Sequence, residues 1–190
     1  MNQMTPFQED RLGKWIKISH QISYGNAVLA HTIQSLGSYD LELIERADAI
    51  IPGFIDYIDT SNRGPRTVEE NYLLDKLISL SRLWVLGAYE DLRTSHTFAL
   101  EKARISTDEK FRVKAERIKN VKIIFERIRI PLAKHEPSKR HRETDSQLAL
   151  PVIDKSLGLA WKINDNLVLS RRELADAFLG LYEEKDAPSQ

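Results

Sequence analysis

The sequence contains no cysteine. That excludes disulfides, thiolate nucleophiles and every cysteine-ligated metal centre. Glycine is scarce, with 8 residues in 190, and none falls in a GxGxxG, Walker-type or GxSxG arrangement. This argues against glycine-built nucleotide cradles and against a nucleophile elbow. None of the 5 histidines follows a glutamate by three positions, and there is no HExxH. The ligand pairs of di-iron bundles and zincins are therefore missing. Long apolar runs are absent as well. The clearest, Leu83 to Tyr89, is far too short to cross a bilayer core of about 30 Å. The opening MNQMTPFQED carries no apolar stretch of the kind a signal peptide needs. These absences lead to the expectation of a cytoplasmic protein with no cofactor, no metal and no membrane partner.

What is present is length enough for one domain and an ordinary apolar fraction, 42%, so a packed core can form. Net charge is zero, from 28 basic and 28 acidic residues, but the two signs are segregated. Residues 39–101 hold 6 Lys/Arg against 12 Asp/Glu, residues 102–142 hold 14 against 5, and residues 143–190 hold 5 against 9. A basic segment thus lies between two acidic ones. Such a segment either faces a polyanion or is offset by acidic helices packed beside it.

The punctuation is mostly helical. Capping boxes are expected at Thr5 with Gln8, Thr67 with Glu70, Ser106 with Glu109 and Ser170 with Glu173, with a weaker signal at Ser38 and Asp40. Trp15, Ile18, Ile22, Leu29, Ile33 and Leu36 recur at helical spacing, so one helix is expected over 6–36 with Gly37 as its stop and a kink or close contact at Gly25. His20 and His31 would then share a face about 16 Å apart, too far for one metal ion. A second helix is expected from near Tyr39, kinked or split by Pro52 and Gly53. A third follows Thr67, with Leu74, Leu77, Ser81, Trp84, Val85, Ala88 and Leu92 on one broad face. The fourth follows Ser106, and Pro131 should end or bend it. Residues 134–150 read as a polar, basic loop. GLAWKI and NLVLS, flanking Asn164 and Asp165, then read as a hairpin, and a last helix runs from about Arg171 to Tyr182.

The expected fold class is mainly α: a helical bundle of about five helices with a small C-terminal β-hairpin and helix. The bundle would occupy 1–136. Residues 137–190 would supply the basic loop, hairpin and terminal helix, packed on the same domain.

Three groups of residues could carry function. One is the basic run Arg127, Lys134, Lys139, Arg140 and Arg142, which could track phosphates. No aromatic interleaves it between Phe125 and Trp161, so base stacking is not indicated and sequence selectivity should be weak. A second is the stripe Arg82, Tyr89 and Arg93 on the third helix, either a polar network or arginine stems covering the core edge. The third is Arg129 and His135, separated by IPLAK. This spacing resembles the Arg-x(4–6)-His motif of the HEPN superfamily, all-helical domains that often dimerise and include metal-independent endoribonucleases of defence and toxin–antitoxin systems. The resemblance covers that one motif and the helical class. It implies catalysis at a composite dimer site, with His135 in general acid–base work and Arg129 stabilising phosphate charge. The leading expectation is a binding protein for RNA or another polyanion. The alternatives are a HEPN-like ribonuclease and an adaptor or homo-oligomer whose acidic partner meets residues 102–142.

Overall fold

The computed structural model describes residues 4–59, 66–154 and 156–182. The chain is mainly α, with a small antiparallel sheet near the C-terminus followed by a helix. The elements are α1 (Pro6–Ile22), α2 (Ala27–Asp59), α3 (Val68–Ile105), α4 (Glu109–Lys134), β1 (Leu150–Asp154), β2 (Gly158–Asn164), β3 (Leu167–Ser170) and α5 (Arg171–Leu179). A 3-10 turn covers Lys139–His141.

Three of the expected capping boxes form. Thr5 and Gln8 exchange side-chain and backbone bonds at α1, Thr67 and Glu70 do so at α3, and Ser170 and Glu173 at α5. At α4 the cap shifts by two residues. The Asp108 carboxylate accepts from the Lys110 amide at 2.9 Å, where a full negative charge suits the helix N-terminus better than the Ser106 hydroxyl. Ser38 starts nothing. It lies inside α2 and its hydroxyl donates back to the Gln34 carbonyl.

The single helix expected over 6–36 is two helices. The chain breaks after Ile22, where Tyr24 and Gly25 take left-handed φ of 53° and 87°. Asn26 then caps α2 by accepting from the Leu29 amide at 2.9 Å. His20 and His31 therefore sit on different helices. Gly37 is not a stop. It lies mid-helix, and a Cβ there would fall 2.5 Å from Trp15 Cβ, so glycine is what lets α1 and α2 approach at this point. Pro52 does not split α2, which runs on to Asp59, and α4 continues three residues past Pro131.

The residues group into two compact units. The first contains the described residues up to Leu41, residues 87–124 and residues from 175 on. Its core holds Trp15, Ile18, Ile22, Ile33, Leu92, Ile118 and Phe178, all fully buried. The Trp15 and Phe178 rings pack with centroids 5.0 Å apart. The second unit contains residues 42–86 and 125–174. Leu77, Trp84, Phe125, Ile128, Trp161 and Ile163 build its core, with Trp84 and Phe125 centroids 6.3 Å apart.

The sheet belongs to the second unit and has the order β1-β2-β3. The expected hairpin is its β2–β3 half, with Trp161 opposite Leu169 and an irregularity between Lys162 and Asn164. The additional strand is β1, which pairs Val152 with Ala160. As an edge strand it tolerates Pro151, the residue that hides it from a strand pattern.

Candidate nucleic-acid interface

The basic residues divide into those consumed by the fold and those left outward. In the N-terminal part of α4 the cations find acids close in sequence. Lys110 pairs with Asp108 at 2.6 Å, Arg112 with Glu109 at 3.4 Å and Lys119 with Glu116 at 3.0 Å. Lys114 donates to the Gln21 carbonyl and Arg117 to the Gly180 carbonyl.

Arg127, in the second unit, is committed differently. Its Nε and NH2 donate to both oxygens of Asp145 at 2.8 and 2.7 Å, the two-point geometry that a guanidinium offers a carboxylate. The Asp145 side chain is fully buried. It also accepts from Asn164 Nδ2 at 2.9 Å and from the Thr144 hydroxyl at 3.1 Å. The Arg127 hydrogen bonds hold the Asp145 carboxyl below its ordinary range against the opposing effect of burial. Next to it, the Ser146 amide donates to the Ile163 carbonyl at 2.8 Å. This pair ties the end of the basic loop to α4 and β2, so Arg127 is not among the charges offered outward.

The loop between α4 and this tie is compact. The His141 amide donates to the Ser138 carbonyl, and the Thr144 and Asp145 amides both donate to the His141 carbonyl. Ser138 is buried beneath the turn. Lys139, Arg140 and Arg142 are exposed around it. Among the described residues no carboxylate lies within ion-pair distance of any of the three. Lys134, at the end of α4, is exposed and stands 3.9 Å from Glu136. The depression beside the turn is lined by Glu143, Asp145 and Asp165 as well as Arg127 and His141. The depression is thus rich in carboxylates, while the exposed cations at 139–142 stand outside it.

Arg129 is half-buried on α4 and engaged within the protein. His135 is exposed just past the helix, with a left-handed φ of 55°. At about 100° per residue, six positions put the two directions roughly 120° apart around a helix axis. His135 lies beyond the last residue of α4, so the two are not on a common helix face. His135 also occupies the position where a helix most often ends in glycine. His135→Gly is expected to raise stability by up to about 1 kcal/mol, because it relieves the left-handed conformation and gives back part of the gain as chain entropy. Urea unfolding of the two proteins checks it.

The arginines on α3 have separate partners. Arg82, in the second unit, donates to the Leu132 carbonyl, one of the acceptors left open in the last turn of α4. In the first unit Arg93 pairs with Glu90 at 2.7 Å and Tyr89 is buried. Asp145 is the site residue that the sequence pattern does not mark. It sits in a charged run, RETD, with nothing local to mark it as buried. Among the described residues no His, Asp and Glu cluster could hold a metal ion, and no helix is long and apolar enough to cross a membrane. No protein-family model, curated protein or solved structure matches the chain.

Proposed function

We propose that the protein binds RNA through the turn that carries Lys139, Arg140 and Arg142, with Lys134 as a flanking contact. The observation that carries this reading is the presentation of those three exposed cations, without acidic partners among the described residues, on a turn braced by the Arg127–Asp145 pair. Closely spaced cations neutralise successive phosphates and release counterions, which supplies affinity without base reading. No aromatic residue lies in the run, so base stacking adds little. Tolerance of sequence is expected.

Fluorescence anisotropy with a labelled mixed-sequence RNA of about 20 nucleotides at low salt tests the reading. The Lys139→Ala, Arg140→Ala, Arg142→Ala triple variant is expected to bind at least about tenfold more weakly, while its thermal midpoint stays close to that of the wild type. Wild-type protein that leaves the RNA untouched at low salt rejects the proposal. The Arg129 and His135 spacing carries the second reading, an endoribonuclease. Cleavage of the same RNA in EDTA that His135→Ala abolishes would establish it.

A further inference from the structure

The second unit contains a cleft of about 590 Å³ bordered by α2, α3, the β1–β2 turn and the start of α5. That volume falls in the range of about 300–1,000 Å³ typical of small-molecule sites. Much of the surface it offers is aliphatic. Ala47 and Ile55 on α2 and Leu157 in the β1–β2 turn are half-buried, and Pro52 is exposed. Behind them Leu43, Leu77 and Leu159 are buried and give the wall a packed backing. Gly158, with a left-handed φ of 72°, adds a stretch of wall without a side chain.

The charges in the lining cancel. Among the described residues they are Asp48 and Asp56 against Arg171 and Arg172. Arg172 and Asp48 pair with each other at 3.2 Å at the edge of the cleft. Asp56 and Arg171 are both engaged by other groups, and Arg171 lies over the Trp84 ring with its guanidinium carbon 5.6 Å from the ring centre. Neither sign of charge is in excess. A carboxylate or an ammonium that entered the cleft would give up hydration without meeting an uncompensated counter-charge. An uncharged molecule gives up little hydration and gains contact with the aliphatic wall.

We propose that this cleft binds an uncharged, largely apolar small molecule of the kind a medium-chain alcohol represents. Its apolar body lies against Ala47, Pro52, Ile55 and Leu157, and its polar end stays at the edge beside the Arg172–Asp48 pair. Charged analogues of the same body are rejected by the balance of the lining rather than by size. The site is separate from the 139–142 turn and does not depend on RNA binding.

Calorimetric titration of the full chain with n-octanol, octanoate and octylammonium tests the proposal, because the three share one alkyl chain and differ in the charge of the head group. Saturable binding of one octanol per chain is expected, with each ion at least about tenfold weaker. Ions avoid every apolar surface, so two single-charge variants test the balance itself. Asp56→Asn should tighten octanoate at least about threefold, and Arg172→Gln should do the same for octylammonium, with octanol affinity unchanged in both. Asp56 is exposed and Arg172 half-buried, so both variants should stay folded. Ala47→Phe, at a half-buried position on the α2 wall, should abolish octanol binding by filling the cleft. The proposal is overturned if the wild type shows no saturable octanol binding, if either ion binds as tightly as octanol, if a folded Ala47→Phe protein binds octanol as the wild type does, or if neither charge variant changes the affinity for its ion.

Discussion

Asp40→Ala should lower the unfolding free energy by about 3–5 kcal/mol, the range seen when one member of a buried charge pair is removed. The Asp40 side chain is fully buried and the Arg11 side chain nearly so. The carboxylate accepts from Arg11 Nε at 2.6 Å and from Trp15 Nε1 at 3.0 Å. Without it, a buried guanidinium keeps, among the described residues, only Asp176, which is half exposed and reached by NH1 at 2.6 Å. Arg11 NH2 already has no partner among the described residues, so nothing stands ready to replace the lost acceptor. The indole N–H would lose its 3.0 Å acceptor as well. Asp40→Asn keeps an oxygen for Trp15 and should cost clearly less. Urea denaturation of the three proteins measures the order, and an Asp40→Ala protein within about 1 kcal/mol of the wild type would contradict this account of the first unit.

Arg127→Met is expected to be comparably severe, again about 3–5 kcal/mol at neutral pH. Methionine replaces the stem but strands the Asp145 carboxylate, whose remaining donors, Asn164 and Thr144, are neutral. The pH dependence identifies the cause. In the wild type the folded-state Asp145 carboxyl is depressed, first by the Arg127 hydrogen bonds. Its stabilising contribution is present above the unfolded carboxylate value of about 3.9 and is lost as pH falls through the lower folded value. In the variant, burial acts with that opposition removed and the folded value rises. The stability gap between the two proteins should therefore be largest at neutral pH and narrow below about pH 4. A gap that stays constant with pH would mean that lost packing, not charge, is responsible. Asp145→Asn, which removes the charge and keeps the shape, should be milder than Arg127→Met.

Local signals were readable from the sequence to the extent that neighbours create them. Thr5, Thr67 and Ser170 cap helices because each has its Gln or Glu partner three positions on, and that chemistry is complete within one turn. Ser106 had the same pattern and lost to Asp108, two residues away. The break between α1 and α2 was hidden because Ile22 and Leu29 are both buried, so the apolar stripe reads as continuous across the four residues that interrupt it. Gly25 and Gly37 exchanged roles for the same reason. A glycine that permits positive φ and one that admits a neighbouring Trp15 look alike in sequence and differ only in tertiary setting. The hairpin was faint because β2 buries Leu159, Ala160, Trp161 and Ile163 on both faces, which erases alternation. The basic run was legible as charge, yet its division was not. Arg127 leaves the run because of Asp145, eighteen positions later, and Lys139, Arg140 and Arg142 remain because, among the described residues, no acid folds back onto them.

The most direct test of the RNA-binding account is the slope of log affinity against log salt for wild type and for the Lys139→Ala, Arg140→Ala, Arg142→Ala variant. Each phosphate contact to single-stranded nucleic acid contributes about 0.7 to that slope. The variant should therefore be shallower by about 2, with affinity falling uniformly across RNA sequences. Two parallel lines, displaced or superimposed, would place the phosphate contacts elsewhere on the molecule and contradict the account.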